Sequence, residues 1–195
     1  MKYVLLLDSS NTSLTVGIAD KEHLIDSNSF ECWQSQSEYM VPTINDLLVK
    51  NNIPFSEITS VVVSVGPGSY TGVRIALTIA KTMAVALNAD LFPVSSLRIQ
   101  KCGNSPSICL INARNNRSYF GVYQGNEIIE KDMIMTNDEV LRYIAEHPDY
   151  TVCGKTSYLG IEGYISNYAL EMFSLLNVLD KCEEPLGLKP VYMKD

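Results

Sequence analysis

The sequence predicts an α/β fold of two lobes, each a mixed sheet covered by helices. Three observations carry this expectation. Each half of the chain runs in the same order, strand, strand, strand, helix, strand, helix, first over residues 3–87 and again over residues 108–181. Each half also opens on short β-rich runs, and in the first half the turn formers Ser9-Ser10-Asn11-Thr12-Ser13 make those runs a hairpin. The composition, 46% hydrophobic and 19% charged over 195 residues, is that of a globular protein with enough core for two small lobes. It excludes disordered and fibrous chains. The stretch 97–107, with Gly103 and Pro106, is the natural connection, giving lobes of residues 1–97 and 98–195, the C-terminal segment being able to pack back on the first lobe.

The elements follow in order. Residues Tyr3 to Asp8 and Leu14 to Asp20 are strands, and a third is expected near Leu24 to Glu31. Ser37 is placed to cap a helix running to about Asn51 with Met40, Ile44, Leu47 and Leu48 on one face, and Pro42 predicts a bend or a later start. The run Thr59 to Val65 is a buried strand, ended by Gly66 and followed by an apolar helix from about Gly72 to Leu87. In the second half, Ile108 to Ala113, Tyr119 to Gln124 and Ile128 to Met135 are strands. Thr136 and Glu139 form a capping box for a helix ending near His147, then Tyr150 to Cys153 is a strand and Asn167 to Lys181 a helix.

Charge and side-chain chemistry narrow the function. The formal net charge is −7, with 15 Lys+Arg against 22 Asp+Glu, and both halves are acidic. Affinity for nucleic acid comes chiefly from cations that displace phosphate counterions, and only Arg114 and Arg117 form even a local basic pair. Any work on RNA therefore calls for a partner that does the gripping. The apolar run Val4 to Leu7 is ended by Asp8, well short of a signal-peptide core or a membrane span, which predicts a cytoplasmic protein without a membrane partner. The 5 cysteines lack a C-x-x-C pair and the 2 histidines, His23 and His147, lack metal-ligand spacing, so reduced thiols and no metal or other cofactor are expected.

The most informative segment is Gly66-Pro67-Gly68-Ser69-Tyr70-Thr71-Gly72-Val73-Arg74, between the strongest strand and the most apolar helix. A glycine turn leading into a helix N-terminus is either a structural tight turn or an anion cradle, because the first helical N–H groups lack internal partners. It is neither standard phosphate motif. A Walker A loop needs Lys and then Ser or Thr after its last glycine, where this chain has Val73 and Arg74; the dinucleotide fingerprint needs closer glycines than Gly68 and Gly72. Arg74 opposes the helix dipole in the first turn, which calls for a carboxylate on this chain or a partner, or leaves it solvated at a small cost. Ser69 and Thr71 read as caps, with no neighbouring His to make either a nucleophile.

On that helix the polar positions Arg74, Thr78, Lys81 and Thr82 span about 100°, leaving an apolar arc of about 200°, wider than one sheet face requires. One edge carries Ile75, Ile79 and Met83; the other carries Val73, Leu77 and Ala84. Ala76, Ala80 and Ala84, spaced by four, admit a close neighbouring helix. The excess is covered either by the Met40/Ile44/Leu47/Leu48 helix or by another chain. The candidate interface is Met40, Ile44, Leu47, Leu48, Arg74, Ile75, Ala76, Ile79, Ala80 and Met83.

The run from Gly66 to Lys81, G-P-G-S-Y-T-G-V-R-I-A-L-T-I-A-K, resembles the TsaB family, the YeaZ-type proteins of bacterial threonylcarbamoyladenosine synthesis on tRNA. Leu7-Asp8-Ser9-Ser10, Ser37-Glu38-Tyr39-Met40-Val41-Pro42 and Pro190-Val191-Tyr192 match in the expected order. The resemblance covers residues 1–97 strongly and the rest thinly. It implies two RNase H-like lobes of the actin-like ATPase type, the second shortened, and a subunit that does not itself catalyse. It also implies a TsaD-type catalytic partner, which transfers the threonylcarbamoyl group to adenosine 37, a TsaE-type ATPase in the assembled complex, tRNA contact only through that complex, and a homodimer when the chain is alone. Two positions depart from the family: Gln36 stands where relatives often carry His, and Asn112 where they often carry Asp, each removing a titratable group.

Two other classes weigh against this one. An actin-like ATPase or sugar kinase usually follows its first-strand Asp with a glycine-bearing loop, whereas Asp8 is followed by Ser9-Ser10-Asn11. A metalloprotease needs paired histidines that the chain lacks.

Overall fold

The structure, a computed structural model, describes residues 2–193. Two central strands organise the first lobe. β1 (Tyr3–Asp8) and β4 (Ile58–Ser64) lie side by side in parallel register, and every residue from Val4 to Leu7 is buried. Their unbroken apolar runs reflect burial on both sheet faces. Leu5, Leu7, Val61 and Val63 point to one side, where α1 (Gln36–Lys50) and α2 (Tyr70–Leu87) lie. Val4, Leu6 and Val62 point to the other, against α4 (Tyr168–Leu175). The full order is β3-β2-β1-β4-β5, with β2 (Ser13–Ala19) and β3 (Leu24–Glu31) antiparallel on one flank and β5 (Asp90–Val94) parallel on the other.

The second sheet repeats the pattern in the order β8-β7-β6-β9, from β6 (Ser107–Arg114), β7 (Arg117–Gln124), β8 (Glu127–Thr136) and β9 (Thr151–Cys153). α3 (Asn137–Glu146) covers one face through Val140 and is closed by the expected capping box of Thr136 and Glu139. The shortening is visible here. Among the described residues this sheet has four strands to the first sheet's five, and between β9 and α4 the chain makes a single 3-10 turn, Ser157–Leu159.

Four sequence expectations are corrected. β5 was missed: with Pro93 inside a five-residue run it lacks the usual strand signature, but as an edge strand it tolerates a residue without an N–H. α1 begins at Gln36 and runs unbroken past Pro42, which sits on the exposed side where water reaches the carbonyl deprived of its helical donor. The final helix ends at Leu175, not Lys181, because the chain leaves it to run along β5, where the Cys182 N–H donates to the Leu91 carbonyl at 2.8 Å. And α4, expected to complete the second lobe, covers the first. Gly17 of β2 makes this possible, since a Cβ there would stand 2.8 Å from the Ala169 Cβ.

The lobes are joined by polar ties as well as by the chain. Lys101, in the connection between the sheets, is buried and paired with Glu171 of α4; its Nζ also donates to Ser174 Oγ at 3.1 Å, and the Gly103 N–H donates to Glu171 Oε1 at 3.0 Å. Lys155, after β9, reaches Glu31 and Thr12, and donates to Ser13 Oγ at 3.0 Å. Removing one member of a buried pair strands a charge, whereas removing both does not. Lys101→Met or Glu171→Leu alone is therefore expected to cost about 3–5 kcal/mol and the double variant to recover at least half of it, measured by urea unfolding.

Candidate functional site

The glycine segment packs directly on the β1–β2 turn. The Ser69 N–H donates to the Ser10 carbonyl at 2.7 Å, and Ser9 Oγ donates to the Gly72 carbonyl at 2.8 Å. A Cβ on Gly72 would collide with the Ser9 carbonyl oxygen, and one on Gly68 with that of Ser10. Gly66, at φ 106°, passes under the C-terminal segment: a Cβ would lie 2.6 Å from the Val191 carbonyl oxygen, and the Val191 N–H donates to Val65 at 2.7 Å. Pro67 is buried and follows a cis peptide bond. The glycines thus serve close backbone approach between the two turns. Ser69 caps α2, its Oγ accepting the Gly72 N–H at 3.2 Å, as its reading as a cap required.

Asp8 does not face open space. Its carboxyl is fully buried, Oδ1 accepting the Ser64 hydroxyl and, at 3.1 Å, the Ser10 N–H, while Oδ2 has no partner. Burial pushes its pKa above the usual aspartate value, against the pull of those donors. Between the lobes lies a cleft of about 660 Å³ that includes Asn11, Trp33, Gln36, Tyr70, Asn112 and Arg114. Gln36 is mostly buried and donates to the Asn11 carbonyl at 3.1 Å, while Asn112 Oδ1 accepts the Arg114 N–H at 2.8 Å. Gln36 and Asn112 therefore stand on the cleft wall, where each amide ties down a turn.

α2 resolves its two edges. Val73, Leu77 and Ala84 are buried, with Leu77 and Ala84 among the side chains that fill the first lobe's core. Ile75 and Ile79 are half-buried, Ile79 packing partly against that core, and Arg74 and Thr71 are exposed, so the N-terminal part of this edge reaches the surface while Met83 at its end is buried. Met40, Ile44, Leu47 and Leu48 of α1, with Ala76, Ala80 and Met83 of α2, point into the same core. As contact side chains for another chain these are corrected: the stripe that makes each helix amphipathic is consumed by its own sheet. The exposed positions of α1 are instead Tyr39, Val41 and Val49. They were missed because an apolar residue off the main stripe has no periodicity to mark it. A groove of about 410 Å³ runs between Ser37 of α1 and Tyr70, Arg74, Ile75, Thr78 and Ile79 of α2. Tyr39 packs edge-on against Phe30 of β3, ring centres 5.8 Å apart, and none of Tyr39, Val41 and Val49 lines the groove.

The family model for TsaD, tRNA N6-adenosine threonylcarbamoyltransferase, matches residues 31–163. The TsaB protein of Bacillus subtilis, named for tRNA threonylcarbamoyladenosine biosynthesis, is 32% identical over 62% of this chain and 55% of its own length. The chain belongs to the TsaD family, as a TsaB-type member. An uncharacterized Mycoplasma genitalium protein, MG208, is 29% identical over the whole of this chain and 96% of its own. YeaZ from Pseudomonas aeruginosa shares the fold, with a TM-score of 0.83 at 22% identity over 99% of this chain and 100% of that one. The resemblance thus extends through the second lobe of this TsaB-type chain, further than the motifs alone suggested.

The steric argument sets a test within the loop. Gly72→Ala is expected to cost about 3 kcal/mol or more, because backbone must move to admit the methyl group. Gly187→Ala, whose Cβ would meet only the flexible end of Glu184 at 3.2 Å, should change stability by less than about 1 kcal/mol. Thermal unfolding of the two variants separates them.

Proposed function

We propose that this TsaB-type chain is a subunit of the threonylcarbamoyladenosine machinery that acts without catalysing the transfer, by docking the outer edge of α2 and the exposed residues of α1 on a TsaD-type catalytic subunit. The observation that carries the reading is the pairing of a closed cradle with an open helix edge. The glycine loop is sealed by Ser9 and Ser10, and Asp8 is buried behind it. Ile75, Ile79, Tyr39 and Val41 remain at the surface. The burial of Asp8 speaks against the actin-like ATPase and sugar-kinase reading, whose chemistry needs a first-strand carboxylate on the cleft. The acidic charge balance supports a reading in which tRNA is contacted through the assembled complex, which would include a TsaE-type ATPase, and not by this chain alone. The working location is the cytoplasm, and a homodimer through the same edge is the competing assembly, dissolved when the TsaD-type subunit is added.

A charge placed on either edge of α2 distinguishes core from surface. Leu77→Arg buries an unpaired cation and is expected to unfold the first lobe, a loss of about 4 kcal/mol or more. Ile79→Arg is expected to leave a folded chain whose affinity for the TsaD-type subunit falls at least about 100-fold, as a buried charge at an interface costs several kcal/mol. Light-scattering mass of each variant, with and without that subunit, alongside thermal unfolding, reads both outcomes. Two folded variants that bind normally would refute the docking assignment.

Steady-state phosphate release from ATP by the isolated chain is expected at background and unchanged by Asp8→Asn. Turnover abolished by that substitution, with folding preserved, would restore the ATPase reading.

A further inference from the structure

We propose that Arg74 is the specificity-determining cation of the docking face, held by a ladder of Tyr70 and Tyr192 to receive a carboxylate from the TsaD-type subunit. This deepens the docking reading and rests on it. Arg74 is the fifth residue of α2, just past its first turn and still near the positive end of the helix dipole. Among the described residues no carboxylate lies within ion-pair distance of it. The side chain is nevertheless fixed. Its Nη1 donates to Tyr70 Oη at 2.8 Å, and its guanidinium carbon lies 5.1 Å from the centre of the Tyr70 ring. Tyr70 is stacked in turn on Tyr192, with ring centres 5.0 Å apart and planes 23° from parallel. Tyr192 is anchored through its neighbour Val191, paired with the end of β4.

The ladder presents a cation at the protein surface that meets no countercharge among the described residues. A guanidinium has five N–H donors, and the bond to Tyr70 uses one. The rest can form a bidentate pair with a carboxylate, and the half-buried Ile75 and Ile79 beside it would exclude water from that pair once a partner covers the groove. The C-terminal segment is on this account a positioning element of the interface.

The test is affinity for the TsaD-type subunit at low and high salt, with thermal unfolding of each variant. Arg74→Ala is expected to weaken binding about 30-fold or more and to flatten its salt dependence, with a Tm equal to or above that of the parent chain because a cation has left the helix N-terminus. Arg74→Lys should recover only part of the loss, lacking the planar fork. Tyr192→Ala should weaken binding about fivefold, Tyr192→Phe should not, and Tyr192→Ala should add nothing once Arg74 is gone. Arg74→Ala binding within about twofold of the parent, while Ile79→Arg fails to bind, overturns the proposal and leaves the docking face standing. A lower Tm for Arg74→Ala with unchanged salt dependence makes its role structural and overturns it equally. No binding by the parent chain overturns the docking reading and the proposal with it.

Discussion

The structure depends on a contact between two pieces of backbone. The turn after β1 and the turn before α2 meet so closely that neither Gly68 nor Gly72 can carry a Cβ, and the Ser69 N–H bonds straight to the Ser10 carbonyl. From that one constraint follow the angle at which α2 leaves the sheet, the burial of its Leu77 edge and the outward position of its Ile79 edge.

Closing the cradle changes the value of the surroundings. Asp8 is sealed in with a raised pKa and one carboxylate oxygen unpartnered, a local cost the rest of the core outweighs. The C-terminal segment, free of any second-lobe duty, crosses α2 and lies against Gly66, adding Tyr192 to the outer edge. α4 makes the same exchange on the other sheet face. The first lobe is thereby completed by chain that follows the second, and this explains how a reduced second lobe can persist: it supports the connection and the return of α4, fixed by the buried Lys101 and Glu171 pair.

Much of this was legible in the residues. The duplicated order, the paired hairpins, the α3 capping box and the Gly66–Lys81 run each carry a local physical signature, and each appears where it was read. What was not legible depends on contacts far apart in sequence. β5 is a strand because β4 offers an edge, not because D-L-F-P-V favours one. α4 sits on the first sheet because Gly17, some 150 residues earlier, leaves room for Ala169. At the site, the glycines were found but their purpose was not, since an anion cradle and a backbone contact require the same absent Cβ. The amphipathic stripes of α1 and α2 were found too, yet a stripe reports only that something covers it. The lobe's own sheet covers most of it; Ile75 and Ile79 were readable from the helix edge, whereas Tyr39 and Val41 are marked by exposure alone.

The central claim is that the closed loop sets α2 as a docking edge for a TsaD-type subunit. Amide hydrogen exchange of the full chain, with and without that subunit, tests it most directly. The account predicts slowed exchange in residues 37–41 and 70–82 on mixing, with residues 127–147 of the second lobe unchanged. Protection confined to the second lobe, or no protection anywhere in a complex of confirmed mass, would contradict it.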